Sequence, residues 1–217
     1  MGKSTLLIDL HYLPSLEYFT CLLPYPTIIL EAHEHYQKQS YRNRCYILTA
    51  QKVDRLTIPV LGGRQKIKYR DIKVDYSQKW SNIHWRTLCI AYSKAPYFAY
   101  FMEYFHSIFL KKYKFLFDFN IEILLACFKL LQLEKKIELS SCYEKEVGSS
   151  VVDARAVIHP KTDFRKNKFY QPFCYQQVYS KEFVTNLSII DLLFCEGHHA
   201  YTILKESVWM KSHNKIS

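Results

Sequence analysis

The chain has 217 residues, 49% hydrophobic and 23% charged, a globular composition that excludes wholesale disorder. Five Gly and seven Pro exclude collagen-like and low-complexity chains. Thirty Lys and Arg against 20 Asp and Glu leave a formal net charge of +10, so an anionic partner suits the chain better than a cationic one.

The basic residues are clustered. Between Lys38 and Arg86 there are 12 against three acidic ones (Asp54, Asp71, Asp75), and between Arg155 and Lys181 six against Asp163 alone. Such a field favours phosphates, nucleotides, polyanionic glycans, nucleic acid or an anionic membrane face. The seven Cys are odd in number and widely spaced, without a C-x-x-C, which predicts buried free thiols rather than disulfides or a zinc ribbon. Neither a secretory leader nor an apolar run of about 18 residues is visible, so the expected location is the cytoplasm. Gly2-Lys3-Ser4-Thr5 looks like the tail of a P-loop but precedes the first strand and lacks the upstream glycine.

The elements predict an α/β domain spanning 1–217: a mixed sheet flanked by helices, with a basic antiparallel segment in the first half. Leu6–Leu10 reads as a strand. Ser15 caps a helix over SLEYFTCLL that Pro24 and Pro26 close, and Thr27–Glu31 is a second strand. Arg44–Ala50, Arg55–Leu61 and Lys66–Val74 read as further strands with one wet, basic face. From Trp80 the period becomes helical, with Trp85, Leu88 and Tyr92 on one face. Pro96 opens the next helix, Asn120 caps IEILLACFKLLQL, and Lys136–Ser140 returns as a strand. A long irregular excursion occupies about 143–171. Ser188 and Asp191 have capping-box spacing ahead of a helix that Gly197 ends, and a last helix runs from Ala200 to Met210.

Five constellations carry possible chemistry. His11-Tyr12 follows the first strand, where α/β sheets bind ligands, so His11 is a candidate phosphate donor or proton carrier. Glu31, His33 and His35 share a strand face, but neighbouring side chains project in parallel, so a polar strand end is preferred to a metal site. Arg42-Asn43-Arg44 has the forks of an oxyanion clamp, with Lys66 as a further phosphate contact. Trp80 and Trp85 flank His84, with Tyr97 beyond, a set able to stack on a sugar or base, although Trp85 and Tyr92 also fit a core stripe. Asp191 is a candidate base or substrate contact whose capping role is the simpler reading. No metal is expected and no cofactor is implied.

Read together and in order, HYLPSLEYF, YRNRCYI, LTIPV, KIKYRDIKVDYSQKW, HWRTLCIAYSKAPYF, FDFNIEILLACFKLLQL and NLSIIDLLFCEG resemble the WbqC-like family, in variants similar to its Bacteroidetes branch. The resemblance implies an acyl or aminoacyl transferase, with glycine as one donor group, acting on a nucleotide- or lipid-linked sugar in surface-polysaccharide (O-antigen-like) biosynthesis. It carries importance onto Tyr12, Pro14, Tyr18, Phe19, Arg42, Asn43, Arg44, Pro59, Lys66, Trp80, His84, Tyr92, Pro96, Tyr97, Ser188 and Asp191. Two departures stand out. Ser15-Leu16-Glu17 replaces a Trp-Gly pair common in the family, and the family's Ser-Gly-Pro loop is not found between Tyr143 and Tyr179.

The combined expectation is a basic, aromatic cleft for a phosphorylated or nucleotide-linked sugar. His11 or His84 is the proton carrier, and Tyr12, Arg42, Asn43, Arg44, Lys66, Trp80, Tyr97 and Asp191 are the substrate contacts. The alternative is a non-enzymatic sugar-phosphate or RNA-binding scaffold of the same pathway, with an aminoacyl donor or RNA as partner.

Overall fold

A computed structural model describes residues 4–179 and 182–209; Gly2, Lys3, Lys181 and Met210 lie outside the described residues. Strands β1 (Thr5–Asp9), β2 (Thr27–Glu31), β7 (Lys136–Leu139) and β8 (Val151–Asp153) form one sheet in the order β7-β2-β1-β8, every pair parallel. The α/β class therefore holds, and the antiparallel strands sit in two small sheets of their own. β3 (Arg44–Leu48) pairs with β4 (Val53–Thr57), and β5 (Val60–Leu61) pairs with β6 (Lys73–Val74). Six α-helices are described: α1 (Leu16–Leu22), α2 (Trp80–Tyr92), α3 (Phe98–Leu110), α4 (Leu116–Leu130), α5 (Ile189–Glu196) and α6 (Ala200–Glu206).

The chain enters the sheet at β1 and steps through α1 to β2 beside it. It leaves for the small sheets and α2–α4, returns at β7, and ends at β8 on the other side of β1. Connections thus diverge between β1 and β8. The carboxyl ends of strands at such a point are where open parallel sheets bind ligands. Parallel strands put Asp9, Glu31 and Asp153 at one common edge.

Local chemistry explains the helix ends. Ser15 Oγ accepts from the Tyr18 amide, and Ser188 Oγ accepts from the Ile190 amide. α1 has no basic residue in its last turn; Lys135 supplies one from afar, donating to the Leu23 and Tyr25 carbonyls at 2.6 and 2.8 Å.

Four expectations need correction. Lys66–Val74 is not one strand: a 3-10 turn at Tyr69–Asp71 shifts the phase, so Tyr69, Ile72 and Val74 are buried together where strict alternation would separate them. Arg55–Leu61 is split at Pro59, which has no N–H to donate. Asn120 lies inside α4 and not at its cap, because its amide is drawn to partners in the core. The 143–171 excursion contains β8, three residues too short to show a period. The last helix is described to Glu206, and Leu125 on α4 is 46% exposed. Cys21, Cys45, Cys127 and Cys195 are buried thiols, while Cys142 and Cys174 are exposed. Among the described residues no helix is long and apolar enough to cross a membrane.

Candidate ligand-binding site at the carboxyl edge of the sheet

The edge is built on two arginines that bind the strand-end carboxylates. Arg42, 1% exposed, directs Nη2 to Asp9 Oδ1 at 2.7 Å and to Glu34, and Nη1 to the His35 carbonyl at 2.8 Å. Its guanidinium stands 5.2 Å from the centre of the Tyr69 ring. Asn120 Nδ2 donates to the Arg42 carbonyl and to the Tyr69 hydroxyl, both at 2.7 Å, and that hydroxyl donates to the Leu10 carbonyl. On the other side Arg155 reaches Glu31 Oε2 at 3.0 Å and Asp153 Oδ2 at 2.7 Å, and stands 5.0 Å from the centre of the Tyr143 ring. Asp9 Oδ2 also accepts from the Ala156 amide at 2.7 Å. Arg42 and Arg155 are therefore fully engaged and hold the loops in place.

Arg44 is different. It has no ion-pair partner among the described residues, and its Nε is buried without a hydrogen bond. Its charge is felt at His159, in the loop after β8, whose pKa is lowered by burial and then by Lys161, Arg44 and Arg42. The same field opposes the burial that lifts Tyr36 to about 12. His11 sits in this neighbourhood, 2% exposed, with ring centroids 4.7 Å from Tyr18 and 5.4 Å from Tyr41. Burial lowers its pKa to about 3, with Asp9 opposing and Arg42 and His159 assisting. His11 Nδ1 and the Tyr18 hydroxyl are both buried without a partner.

A cavity of about 360 Å³ opens beside this group, lined by His33, Glu34, His35, Tyr36, Gln37, Lys68 and Tyr143. It is polar and aromatic, and Glu34, its one carboxylate, is already bound to Arg42 and Gln37. Glu31, His33 and His35 do not converge as a ligand set: Glu31 accepts from the His33 and Glu34 amides, Ser140 and Arg155, and His33 Nε2 faces Arg70 at 3.3 Å. Among the described residues no group of three His, Cys, Asp or Glu is placed to hold a metal ion.

The other residues singled out from sequence fall in three places. Tyr12, His84 and Trp80 form a buried stack adjoining His11: the Tyr12 hydroxyl meets His84 Nδ1 at 2.9 Å, and Trp80 packs edge-on to His84. Burial lowers His84 to about 4, with a backbone hydrogen bond to Thr57 opposing. Asn43 is buried beside the clamp and donates to the Ile58 carbonyl. Lys66 is exposed on the loop whose Ile67 carbonyl accepts from the Tyr36 amide. Tyr97 and Asp191 lie away from this group, at α3 and α5. Tyr97 donates its amide to the Phe194 carbonyl, and Asp191, fully buried, accepts from Tyr175 at 2.6 Å and Gln177 at 3.1 Å. Burial raises the Asp191 pKa, with Tyr175, Tyr92 and Gln177 opposing.

The sequence reading missed Asp9, Glu34, Asn120, Arg155 and His159. Asp9 is legible as an acid that ends an apolar strand, as Glu31 does in the next. Arg155 and His159 were hidden because β8, which positions them, is only three residues long.

Residues 10–164 match the model of the WbqC-like protein family, from the loop after β1 to the 3-10 turn at Phe164. The chain belongs to the WbqC-like protein family. This WbqC-like chain is also 31% identical over 111 residues to the uncharacterised protein Rv1507c of Mycobacterium tuberculosis. That similarity covers 51% of this chain and 48% of the relative, so the chain matches about half of the relative's length. No solved structure matches the chain. The family match includes His11, Arg42, Arg44, His84 and His159, and leaves out Asp191.

Proposed function

We propose that this WbqC-like protein transfers an acyl or aminoacyl group, glycine among the donors, to a nucleotide- or lipid-linked sugar of surface-polysaccharide biosynthesis. One observation carries the reading: Arg44 is a guanidinium with no carboxylate partner among the described residues, at the carboxyl edge of a parallel sheet, near enough to His159 and to Tyr36 of the cavity wall to act on their charge. An unpaired fork at that position suits a phosphate, which accepts two parallel N–H bonds from it. In this scheme Lys68, His33 and His35 of the cavity wall hold the sugar end, and Lys66 is a further phosphate contact.

His11 is the proton carrier in this scheme. Free of ligand it is a neutral imidazole with Nδ1 unengaged. A bound phosphate beside it favours the protonated ring and raises its pKa toward neutrality, where proton transfer is most effective. The sugar amine attacks the acyl carbonyl carbon, the C–N bond forms, and the bond to the acyl carrier breaks. The amine's proton passes through the imidazole to the departing carrier. His84 supports the loop through Tyr12.

Titration calorimetry against a panel of nucleotide sugars tests the binding step. Heat from at least one sugar, lost in Arg44→Gln and kept in His11→Asn, is the expected pattern. No heat with any sugar, together with unaltered surface glycan in a deletion strain, removes the proposal. The burial of His11 also favours a second reading, a binding protein without catalysis; a His11→Asn chain that restores wild-type glycan in the deletion strain decides for it.

A further inference from the structure

A second basic surface lies apart from that edge and belongs to no role given above. β6 lies against the segment 111–116: the Val74 amide donates to the Lys114 carbonyl at 3.1 Å, the Leu116 amide to the Ile72 carbonyl at 2.9 Å, and Lys73 bridges to Phe115. Next to this seam a cavity of about 220 Å³ opens between the start of α2 and the end of α3, lined among others by Tyr76, Gln78, Lys79, Asn82, Phe109 and Lys112. Lys73, Lys79, Lys112 and Lys114 are exposed, and none is in a salt bridge among the described residues. The nearby Asp75 accepts from the Ser77 amide, Asp118 and Glu122 flank Tyr113, and no carboxylate lines the cavity.

The aromatic groups are recessed. Trp80 is 3% exposed, Phe109 is buried, and Tyr76 is half-buried with its ring centroid 5.8 Å from that of Trp80. The Tyr113 hydroxyl and Trp80 Nε1 are buried without partners, and the Tyr76 hydroxyl faces the Tyr113 backbone. At this spot α2 begins without a side-chain cap and without an acid in its first turn. Recessed rings suit a planar group that comes to them; Leu110, 67% exposed, is the one apolar lining side chain that protrudes, far less than the continuous apolar face by which a helix lies in a bilayer. Unpaired cations along a seam, rings in a hollow and two carboxamides at its rim are the parts from which sequence-tolerant binding of single strands is made.

We infer that the face formed by β6, the 111–116 segment and the start of α2 binds single-stranded RNA, the lysines tracking phosphates and one base entering the cavity beside Tyr76. Trp80 alone is shared with the sugar site, through its packing on His84; the lysines and Tyr76 play no part there, so the two sites are tested separately.

The test is fluorescence anisotropy of a labelled oligouridylate of about twelve nucleotides on the full chain over a salt series. Affinity falls linearly on a log–log plot, and Lys79→Gln with Lys112→Gln reduces the slope by about 1.4, roughly 0.7 for each lost phosphate contact. Tyr76→Ala weakens binding about 5- to 150-fold and leaves the slope unchanged. Lys52→Gln, on the β3–β4 turn, changes neither. Ultraviolet crosslinking of the unsubstituted chain to the same oligomer, read by mass spectrometry, places the link at Tyr76 or within 109–116 and so covers a variant that fails to fold. An unchanged slope in the double variant, crosslinks confined to other surfaces, or binding to phosphatidylserine vesicles without binding to RNA each overturns the inference.

Discussion

Replacing Arg42 by methionine keeps most of the side-chain volume and removes the charge. Arg42 makes two ionic contacts, to Asp9 and Glu34, and one neutral bond to the His35 carbonyl. The two carboxylates differ in their recourse. Glu34 keeps 18% of its side-chain surface in solvent and rehydrates, whereas the Asp9 side chain is 6% exposed and retains only the Ala156 amide as a donor. Breaking a buried pair from one side costs about 3–5 kcal/mol, because the remaining charge is stranded. For a domain of this size that lowers Tm by about 6–20 °C. Urea unfolding followed by circular dichroism measures it. Asp9→Asn in the same chain removes the stranded charge, so the double variant is less unstable than the sum of the singles by about 1–3 kcal/mol. An Arg42→Met loss below about 1 kcal/mol, or strictly additive singles, refutes the view that this pair fixes the edge.

Two further outcomes follow from the same coordinates. His11 and His84 are held neutral, with pKa values near 3 and 4 against 6.5 in the unfolded chain, so the unfolded state binds their protons first as pH falls. Stability is then complete above about pH 6.5 and is lost toward pH 4, and His11→Asn or His84→Asn each makes the pH dependence of urea midpoints shallower; midpoints unaffected by either substitution count against the burial of these rings. Gly197 has φ +54, and a Cβ there would lie 2.3 Å from Tyr97 Cδ1, so Gly197→Ala costs about 1–3 kcal/mol by thermal melting; a neutral effect contradicts the packing of Tyr97 on the end of α5.

The opening β1-α1-β2 unit is legible because its signals are local. Pro24 and Pro26, the Ser15 cap and the apolar run Thr27–Glu31 give β1-α1-β2 directly, and the clamp Arg42-Asn43-Arg44 is visible as three adjacent residues. What could not be read is the division of labour inside that clamp. Arg42 and Arg44 look equivalent in sequence, yet one is buried on Asp9 and Glu34 and the other has no carboxylate. That distinction depends on β1 and the loop after β2 meeting in space, a contact between residues 33 positions apart. The Tyr69–Asp71 turn was missed for a related reason. Alternation of charge and ring in KIKYRDIKV mimics a strand, and only the pull of Arg42 and Asn120 on the Tyr69 ring and hydroxyl shows why the chain turns there.

The placement of charge bears on function through a contrast within one edge. A chain of net charge +10 has basic residues to spare, but spare charge on a convex surface binds ions weakly. Here Arg42 and Arg155 offset half of the negative charge that Asp9, Glu31, Glu34 and Asp153 bring to the edge, and without them the four carboxylates would repel an approaching phosphate more strongly. The four salt bridges thus act indirectly on a ligand: they reduce negative potential, and Arg44 adds a cation that no carboxylate among the described residues pairs. In the proposed scheme Arg42, which the sequence marks as a clamp residue, acts on anion affinity by holding Asp9, while Arg44 acts on it by contact. Arg42→Met is then expected to weaken nucleotide-sugar binding even where the fold survives, and Arg44→Gln to abolish it with little change in stability.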